Sequence, residues 1–379
     1  MPASPSTARA INDRLALQLL QQEGPLTAGQ LKTLTGLSRP TVAGLVERLQ
    51  SSGLVQVVGE AGAERRGPNA RLYGIVADRA HLAALDVRTH SVTVVVADLL
   101  GTTLAEAALP IGRHTGTGQA VEQAAALLER TAREAGAERL HSVGIGAPGL
   151  IDPVTGELRE STGLPEWHRA LVAALQQRLS ASVLVENETN LAAVAEQRLG
   201  AARGVDDFVL FWLGQGVGAA VVLGGKVRRG ASGGAGEVGF LPVPGTGALP
   251  SATGCDGGFH SLAGAAAVRE LAARYGVEGD TEDAVRSADP EFLGALAERL
   301  AVGAAAVTAV LDPGCVVLGG EIGHAGGEAL AARVEARLAS LSPLRTEVRA
   351  AALGGEAVLR GALFAARDAA QEELFAPGA

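Results

Sequence analysis

Residues 213–240 read LGQGVGAAVVLGGKVRRGASGGAGEVGF. Gly214, Gly216 and Gly218 alternate along what reads as one strand leading into a hairpin. Residues 219–223 are apolar, and Gly224-Gly225 is a strong two-residue hairpin turn. A loop rich in glycine and alanine follows and ends in Gly236-Glu237-Val238-Gly239. Alternating glycines let a phosphate or another main chain come close to a strand backbone. The plain alternative is a thin strand packed tightly in a core.

Outward from this hairpin the chain alternates strands with helices. Downstream, helices are expected at 261–275 and 290–311. A buried strand at 315–318 ends in the Gly319-Gly320 turn, and a last helix at 355–374 packs back on the body. Upstream, 208–213 opens a second lobe that begins near Asp206. Before it, strands are expected at 82–87, 92–99, 104–110, 142–147 and 183–186, with helices at 118–135 and 167–179. A helix at 190–199 takes its cap from Asn187 or Thr189.

The N-terminal residues follow a different plan. An amphipathic helix is expected at 8–22, with Ile11, Leu15, Leu19 and Leu20 on one face, and Gly24-Pro25 stops it. Thr27 caps a second helix with Leu31 and Leu34 facing inward. After the Gly36-Leu37 turn, Ser38 caps a third helix whose first turn holds Pro40 and whose buried stripe is Val42, Leu45, Val46 and Leu49. Arg39, Thr41 and Arg48 lie off that stripe and are free to meet a major groove. A strand at 53–58, a turn holding Arg65-Arg66-Gly67-Pro68 and a return strand at 70–75 form a wing. The one hinge the sequence offers between head and body lies near residues 75–80.

The phrase Leu37-Ser38-Arg39-Pro40-Thr41-Val42, followed by Gly53-Leu54-Val55, resembles the winged helix-turn-helix heads of ROK-family repressors. Residues 144–152, 186–196, 213–239 and 311–323 resemble the family's body motifs, so the resemblance covers essentially the whole chain. It implies a winged helix-turn-helix domain at 1–77 followed by a two-lobe, actin-like ATPase (ribonuclease H-like) α/β body at 78–379. Lobe 1 would run from about 78 to 203 and take in the C-terminal helix, and lobe 2 from about 204 to 354.

Composition agrees with such a chain. At 379 residues it exceeds one domain and can bury a large core. Aromatics are only 3%, so Ala, Val, Leu and Gly must do the packing. Residues 1–75 hold eight Lys/Arg against five Asp/Glu, while the whole chain carries −9, so a mildly basic head sits on an acidic body. The longest apolar runs, such as 301–311, read as too short to span a bilayer, and the N-terminus lacks the apolar segment of a signal peptide. Two cysteines, Cys255 and Cys315, make neither a disulfide framework nor a cysteine-rich zinc site, and a cytoplasmic location is expected.

The departures from the family pattern decide the functional expectation. A kinase of the family needs Asp-x-Gly-x-Thr after the first body strand; here Asp86-Val87-Arg88-Thr89-His90 puts arginine at the glycine, and a backbone nest closing on phosphate tolerates a side chain there poorly. The general base of Asn-Asp-x-Asn is Glu188 in Asn187-Glu188-Thr189-Asn190, where a ~1 Å displacement costs on the order of a hundredfold in rate. Glu237 survives, the histidine that follows in the family is Phe240, the asparagine before Leu-Pro-x-Trp is Gly163, and the glutamate after the cysteine cluster falls at His260. Ser251, Thr253 and Gly258 stand at the zinc cysteines, so no metal and no cofactor are expected. Glu188 also has a plain reading, as a carboxylate set against a helix dipole. Repressors of the xylose-responsive type resemble this chain in carrying Glu there.

The resemblance therefore implies a transcriptional regulator, a repressor rather than an enzyme. Ser38, Arg39, Thr41, Arg48, Arg65 and Arg66 would meet double-stranded operator DNA. Gly149, Asn187, Glu188, Glu237 and His260 would meet a sugar effector, in a homodimer or homotetramer away from any membrane. Two alternatives stand beside it: a sugar kinase with an appended head, and a regulator with no small-molecule ligand.

Overall fold

The computed structural model describes residues 5–61, 70–112, 114–159, 166–287 and 289–376. The head consists of α1 (Pro5–Glu23), β1 (Leu26–Thr27), α2 (Ala28–Thr35), α3 (Arg39–Ser51), β2 (Val55–Ala61) and β3 (Ala70–Ile75). Thr27 opens α2 through a reciprocal box with Gln30: the Gln30 amide donates to Thr27 Oγ1 at 3.2 Å and the Thr27 amide donates to Gln30 Oε1 at 2.9 Å. Gly36 ends that helix at φ 70°, a left-handed conformation that costs glycine no Cβ clash. Ser38 then caps α3, with Pro40 in its first turn. The strands form a three-stranded sheet in the order β1-β3-β2, which makes the wing. Its tip, with Arg65 and Arg66, lies outside the described residues.

Two five-stranded sheets form the body. Lobe 1 uses β4 (His81–Arg88), β5 (Ser91–Asp98), β6 (Thr103–Pro110), β7 (Leu140–Ala147) and β8 (Ser182–Asn187), with α4 (Thr117–Glu134), α5 (Trp167–Arg178) and α6 (Glu188–Leu199). Lobe 2 uses β9 (Phe208–Leu213), β10 (Val217–Leu223), β11 (Lys226–Val227), β12 (Cys315–Gly319) and β13 (Glu347–Ala350). Its helices are α7 (His260–Ala263), α8 (Ala265–Arg274), α9 (Thr281–Arg286), α10 (Pro290–Leu311) and α11 (Gly320–Leu341). The sheet orders are β6-β5-β4-β7-β8 and β11-β10-β9-β12-β13, the same plan twice, with an antiparallel meander on one side of the first strand and parallel strands on the other. This is the expected duplicated ribonuclease H-like body. α12 (Ala357–Leu374) returns from lobe 2 to cover lobe 1. It can lie flat there because two positions have no side chain. A Cβ on Gly144 of β7 would stand 2.1 Å from the Ala362 carbonyl oxygen, and one on Gly361 the same distance from the Leu191 carbonyl oxygen of α6.

Several expectations are corrected. Gly214 and Gly216 are not in a strand: Gly214 N–H donates to the Gly216 carbonyl at 3.1 Å, so 214–216 is the turn joining β9 to β10. The helix expected at 261–275 is broken at Gly264, where the His260 ring leaves no space for a Cβ. In α1 the buried face is Ala16, Leu17 and Leu20, whereas Ile11 and Leu15 are exposed; Leu34 of α2 is exposed as well. α10 is long and apolar enough to cross a membrane by length and composition, contrary to the reading of its 301–311 segment as too short. It is instead seated in the lobe 2 core through Phe292, Leu296, Leu300 and Ala304.

The head is not hung on a bare hinge. Its core of Leu17, Leu20, Leu45 and Leu49 is continuous with Leu82 and Leu99 of lobe 1 and with Ala366, Ala370 and Phe375 at the end of α12. Leu99 N–H also donates to the Ala77 carbonyl at 2.9 Å, inside the segment 75–80.

Candidate DNA-reading surface and effector cleft

At the head, the Ser38 and Thr41 hydroxyls lie 2.8 Å apart and the Thr41 amide donates to Ser38 Oγ at 3.4 Å. Ser38 is therefore a structural cap before it is a contact. Ser38, Arg39 and Thr41 are all exposed at the start of α3, and Arg39 has no partner among the described residues. Arg48 is not free. Its Nε and Nη2 donate to the two carboxylate oxygens of Asp13 at 3.1 and 2.6 Å, a bidentate pair that pins α3 to α1. Arg48 lies off the buried stripe of α3, as its spacing implies, but its partner stands 35 residues upstream, beyond any local pattern.

In the body, Gly149, Asn187, Glu188, Glu237 and His260 all line one cleft of about 500 Å³, together with Phe240. Asn187 and Glu188 are neighbours in sequence, but Gly149, Glu237 and His260 arrive from separate segments that only the fold brings together with them. Asn187 ends β8 and caps α6, accepting from the Thr189 and Asn190 amides at 2.9 and 3.3 Å. Its Nδ2 donates to the Gly149 carbonyl at 2.9 Å, which leaves one amide hydrogen for a ligand. Glu188 is the first residue of α6. Burial, and then the charges of Asp86 and Glu321, push its carboxyl up to about 8, against the opposing pull of Arg88. At neutral pH it is mostly the uncharged acid and can donate a hydrogen bond. Burial in the cleft wall also raises the Glu237 carboxyl, but the residue stays exposed to the open cleft, so that shift carries no energetic weight. Phe240, 40% exposed, and Trp212, from β9, add aromatic surface.

Arg88, at the end of β4, fills the phosphate turn with a side chain. Its Nε donates to Asp86 Oδ2 at 2.8 Å, its Nη1 to Glu321 Oε1 at 3.5 Å and its Nη2 to the Gly355 carbonyl at 3.2 Å. It thus ties lobe 1 to the first turn of α11 in lobe 2. The buried His168 ring lies 3.2 Å from the Arg88 carbonyl through Nε2. A carbonyl only accepts, so Nε2 carries the hydrogen, and burial holds this imidazole down at about 4, hence neutral. A second tie crosses the lobes where Arg229 donates from Nε to Glu186 Oε2 at 2.6 Å.

Sequence reasoning missed Trp212, Glu321 and the engagement of Asp86. Glu321 follows the Gly319-Gly320 turn, but nothing in spacing places it opposite Arg88, 233 residues away. Gly163 lies outside the described residues. Cys255 borders the cleft, and no group of three His, Cys, Asp or Glu able to hold a metal occurs among the described residues.

The ROK family model matches residues 82–369. The chain belongs to the ROK family. A MarR family model matches residues 12–66, within the helical head of this ROK protein. The DNA-binding transcriptional dual regulator NagC of Escherichia coli is 26% identical over 243 residues, 62% of this chain and 58% of that one, so the match spans less than two thirds of the relative. The glucokinase of Thermotoga maritima is 32% identical over 206 residues, 48% of this chain and 65% of that one. Among solved structures, a ROK family transcriptional regulator described as a homologue of Escherichia coli MLC superposes with TM-score 0.78. It is 21% identical and covers 97% of this chain and 98% of its own, which shows that head and body share one fold with it. The ROK chain is thus homologous to transcriptional repressors of the family and carries their helix-turn-helix head, while kinases with the same body are relatives too.

Proposed function

We propose that this ROK protein is a sequence-specific DNA-binding repressor whose body senses a sugar or sugar-derived effector. Residues 1–77 read DNA through Ser38, Arg39 and Thr41, with Arg65 and Arg66 on the wing. Residues 78–379 bind the effector between their lobes, at Gly149, Asn187, Glu188, Glu237 and His260, and pair two copies. A small head needs two copies to read two half-sites about 34–36 Å apart.

The observation that carries the reading is the shared core at the end of α12. That helix packs against α6, which starts at the cleft, and its far end holds Ala366, Ala370 and Phe375 inside the head core. An effector that favours one lobe arrangement over another therefore acts on the head through packed side chains, provided it binds the two arrangements with different affinity. Kinase activity is absent or vestigial in this reading, because the Arg88 guanidinium and its carboxylate partners stand in the phosphate turn.

The test is a binding titration. A duplex enriched by the protein from a random pool is titrated in the presence and absence of sugars. A sugar that weakens binding to that duplex, and leaves binding to a scrambled one alone, supports the reading. ATP-dependent phosphorylation of any sugar at ordinary kinase rates of about 1–100 s⁻¹ contradicts it.

A further inference from the structure

The charge around the cleft narrows the chemistry of what it can hold. Two carboxyl side chains, Glu188 and Glu237, line it, and Asp86 and Glu321 stand close enough to Glu188 to raise it further. Among the described lining residues there is no lysine or arginine, and His260 is the one side chain able to take a positive charge. Guanidinium groups around the cleft are committed elsewhere: Arg88 to Asp86, Glu321 and the Gly355 carbonyl, Arg229 to Glu186, and Arg159 to Asp152. A helix N-terminus facing a cleft is ordinarily a place for an anion. Here two of the orphan amides of α6, those of Thr189 and Asn190, are already taken by Asn187 Oδ1, and the first helical residue is an acid.

We infer that the effector is an uncharged sugar and that sugar phosphates are rejected. This rests on the reading of the cleft as a sugar-sensing site. A phosphate monoester carries about −1.5 to −2 charges at pH 7, and taking such a charge out of water with no cation to pair it costs several kcal/mol, to which the Glu237 carboxylate adds a like charge. The groups that remain suit neutral hydroxyls instead. The Glu188 acid and the spare Asn187 amide hydrogen donate, Glu237 accepts, and Phe240 and Trp212 offer an apolar face to the C–H side of a pyranose.

The test uses the full chain in calorimetric titrations with D-glucose, D-xylose and N-acetyl-D-glucosamine, each against its phosphate ester, with inorganic phosphate as a control. The expected result is that at least one free sugar binds and its ester binds about a hundredfold more weakly or not at all. An ester that binds as tightly as its parent sugar, or more tightly, overturns the inference while leaving the sugar-sensing reading intact. Failure of every free sugar and every ester to bind overturns the sugar-sensing reading itself, and the inference with it. A second arm uses Glu237→Lys, on the exposed cleft wall. Placing a cation there is expected to lift ester affinity at least tenfold relative to the free sugar, and an unchanged ratio between the two contradicts the electrostatic origin of the rejection.

Discussion

Replacing Arg88 by alanine is the sharpest probe of the interlobe cluster. Asp86 is 4% exposed, and its Oδ1 has no hydrogen-bond partner among the described residues. The Arg88 guanidinium, 2.8 Å away, is therefore its main counter-charge. Leaving a buried charge unpaired costs roughly 3–5 kcal/mol. Asp86 has an escape, which is to take up a proton. At pH 7 that costs a carboxyl of unfolded pKa ~3.9 about 4 kcal/mol, which caps the penalty. Arg88 is about one third exposed, so solvent already screens part of the pair, and the expected loss is roughly 2–3 kcal/mol at pH 7. The sign with pH follows from linkage. Burial already raises the Asp86 carboxyl in the wild type, against the pull of Arg88, and removing Arg88 raises it further, so the variant keeps its stability at low pH and loses more than the wild type as pH rises. The gap between wild type and Arg88→Ala should therefore be small at pH 4.5 and widen toward pH 8. Asp86→Asn in the same chain removes the charge and should recover most of the loss. Trp167 in lobe 1 and Trp212 in lobe 2 are the two tryptophans, so urea unfolding followed by fluorescence reports both lobes. A loss of equal size at pH 4.5 and pH 8, or no recovery in the double variant, refutes the reasoning.

Further outcomes are expected elsewhere. Glu188 has a folded pKa of about 8, above its unfolded value, so the wild type loses stability as pH rises from about 4.5 to 8, by at most about 1.4 kcal/mol per unit. Glu188→Gln should flatten that slope in urea titrations at several pH values. Ser38→Ala should cost about 1 kcal/mol of head stability and weaken DNA binding, because the cap that sets the start of α3 is lost. Arg48→Ala should lower stability by loosening α1 from α3 while leaving sequence preference unchanged, as binding to specific and scrambled duplexes will show. Incubation with ATP, magnesium and a panel of hexoses and pentoses should give no turnover at kinase rates.

Much of the architecture is legible in local signals. The Gly224-Gly225 turn has φ of 61° and 70°, as a two-residue hairpin between right-twisted strands requires. The caps at Thr27, Ser38 and Asn187 mark helix starts because each supplies an oxygen to an orphan amide. The errors arise where one pattern fits two structures. Glycines at every second position suit a strand or a turn, and the local bond from the Gly214 amide to the Gly216 carbonyl chooses the turn. In α1 the apolar residues Ile11, Leu15, Leu17, Leu19 and Leu20 offer two faces, and the partner surface selects Leu17 and Leu20 over Ile11 and Leu15. The cleft residues were found through family likeness to motifs. Their pairing of Asn187 with Gly149, and the tie from Arg88 to Glu321, depend on lobe geometry that no local window contains. The joining of head and α12 was equally hidden, since alanines such as Ala366 and Ala370 carry no positional signature.

The proposed function requires that the head select DNA by sequence through the start of α3. The direct measurement is enrichment from a random duplex pool by the full-length protein, alongside Arg39→Ala, at several salt concentrations. The expected motif is near-palindromic, with half-sites one helical turn, or a multiple of one, apart. Arg39→Ala is expected to lose roughly 1–3 kcal/mol and to relax preference at one position per half-site. No enriched motif at physiological salt, or the same motif at the same affinity from Arg39→Ala, would contradict it.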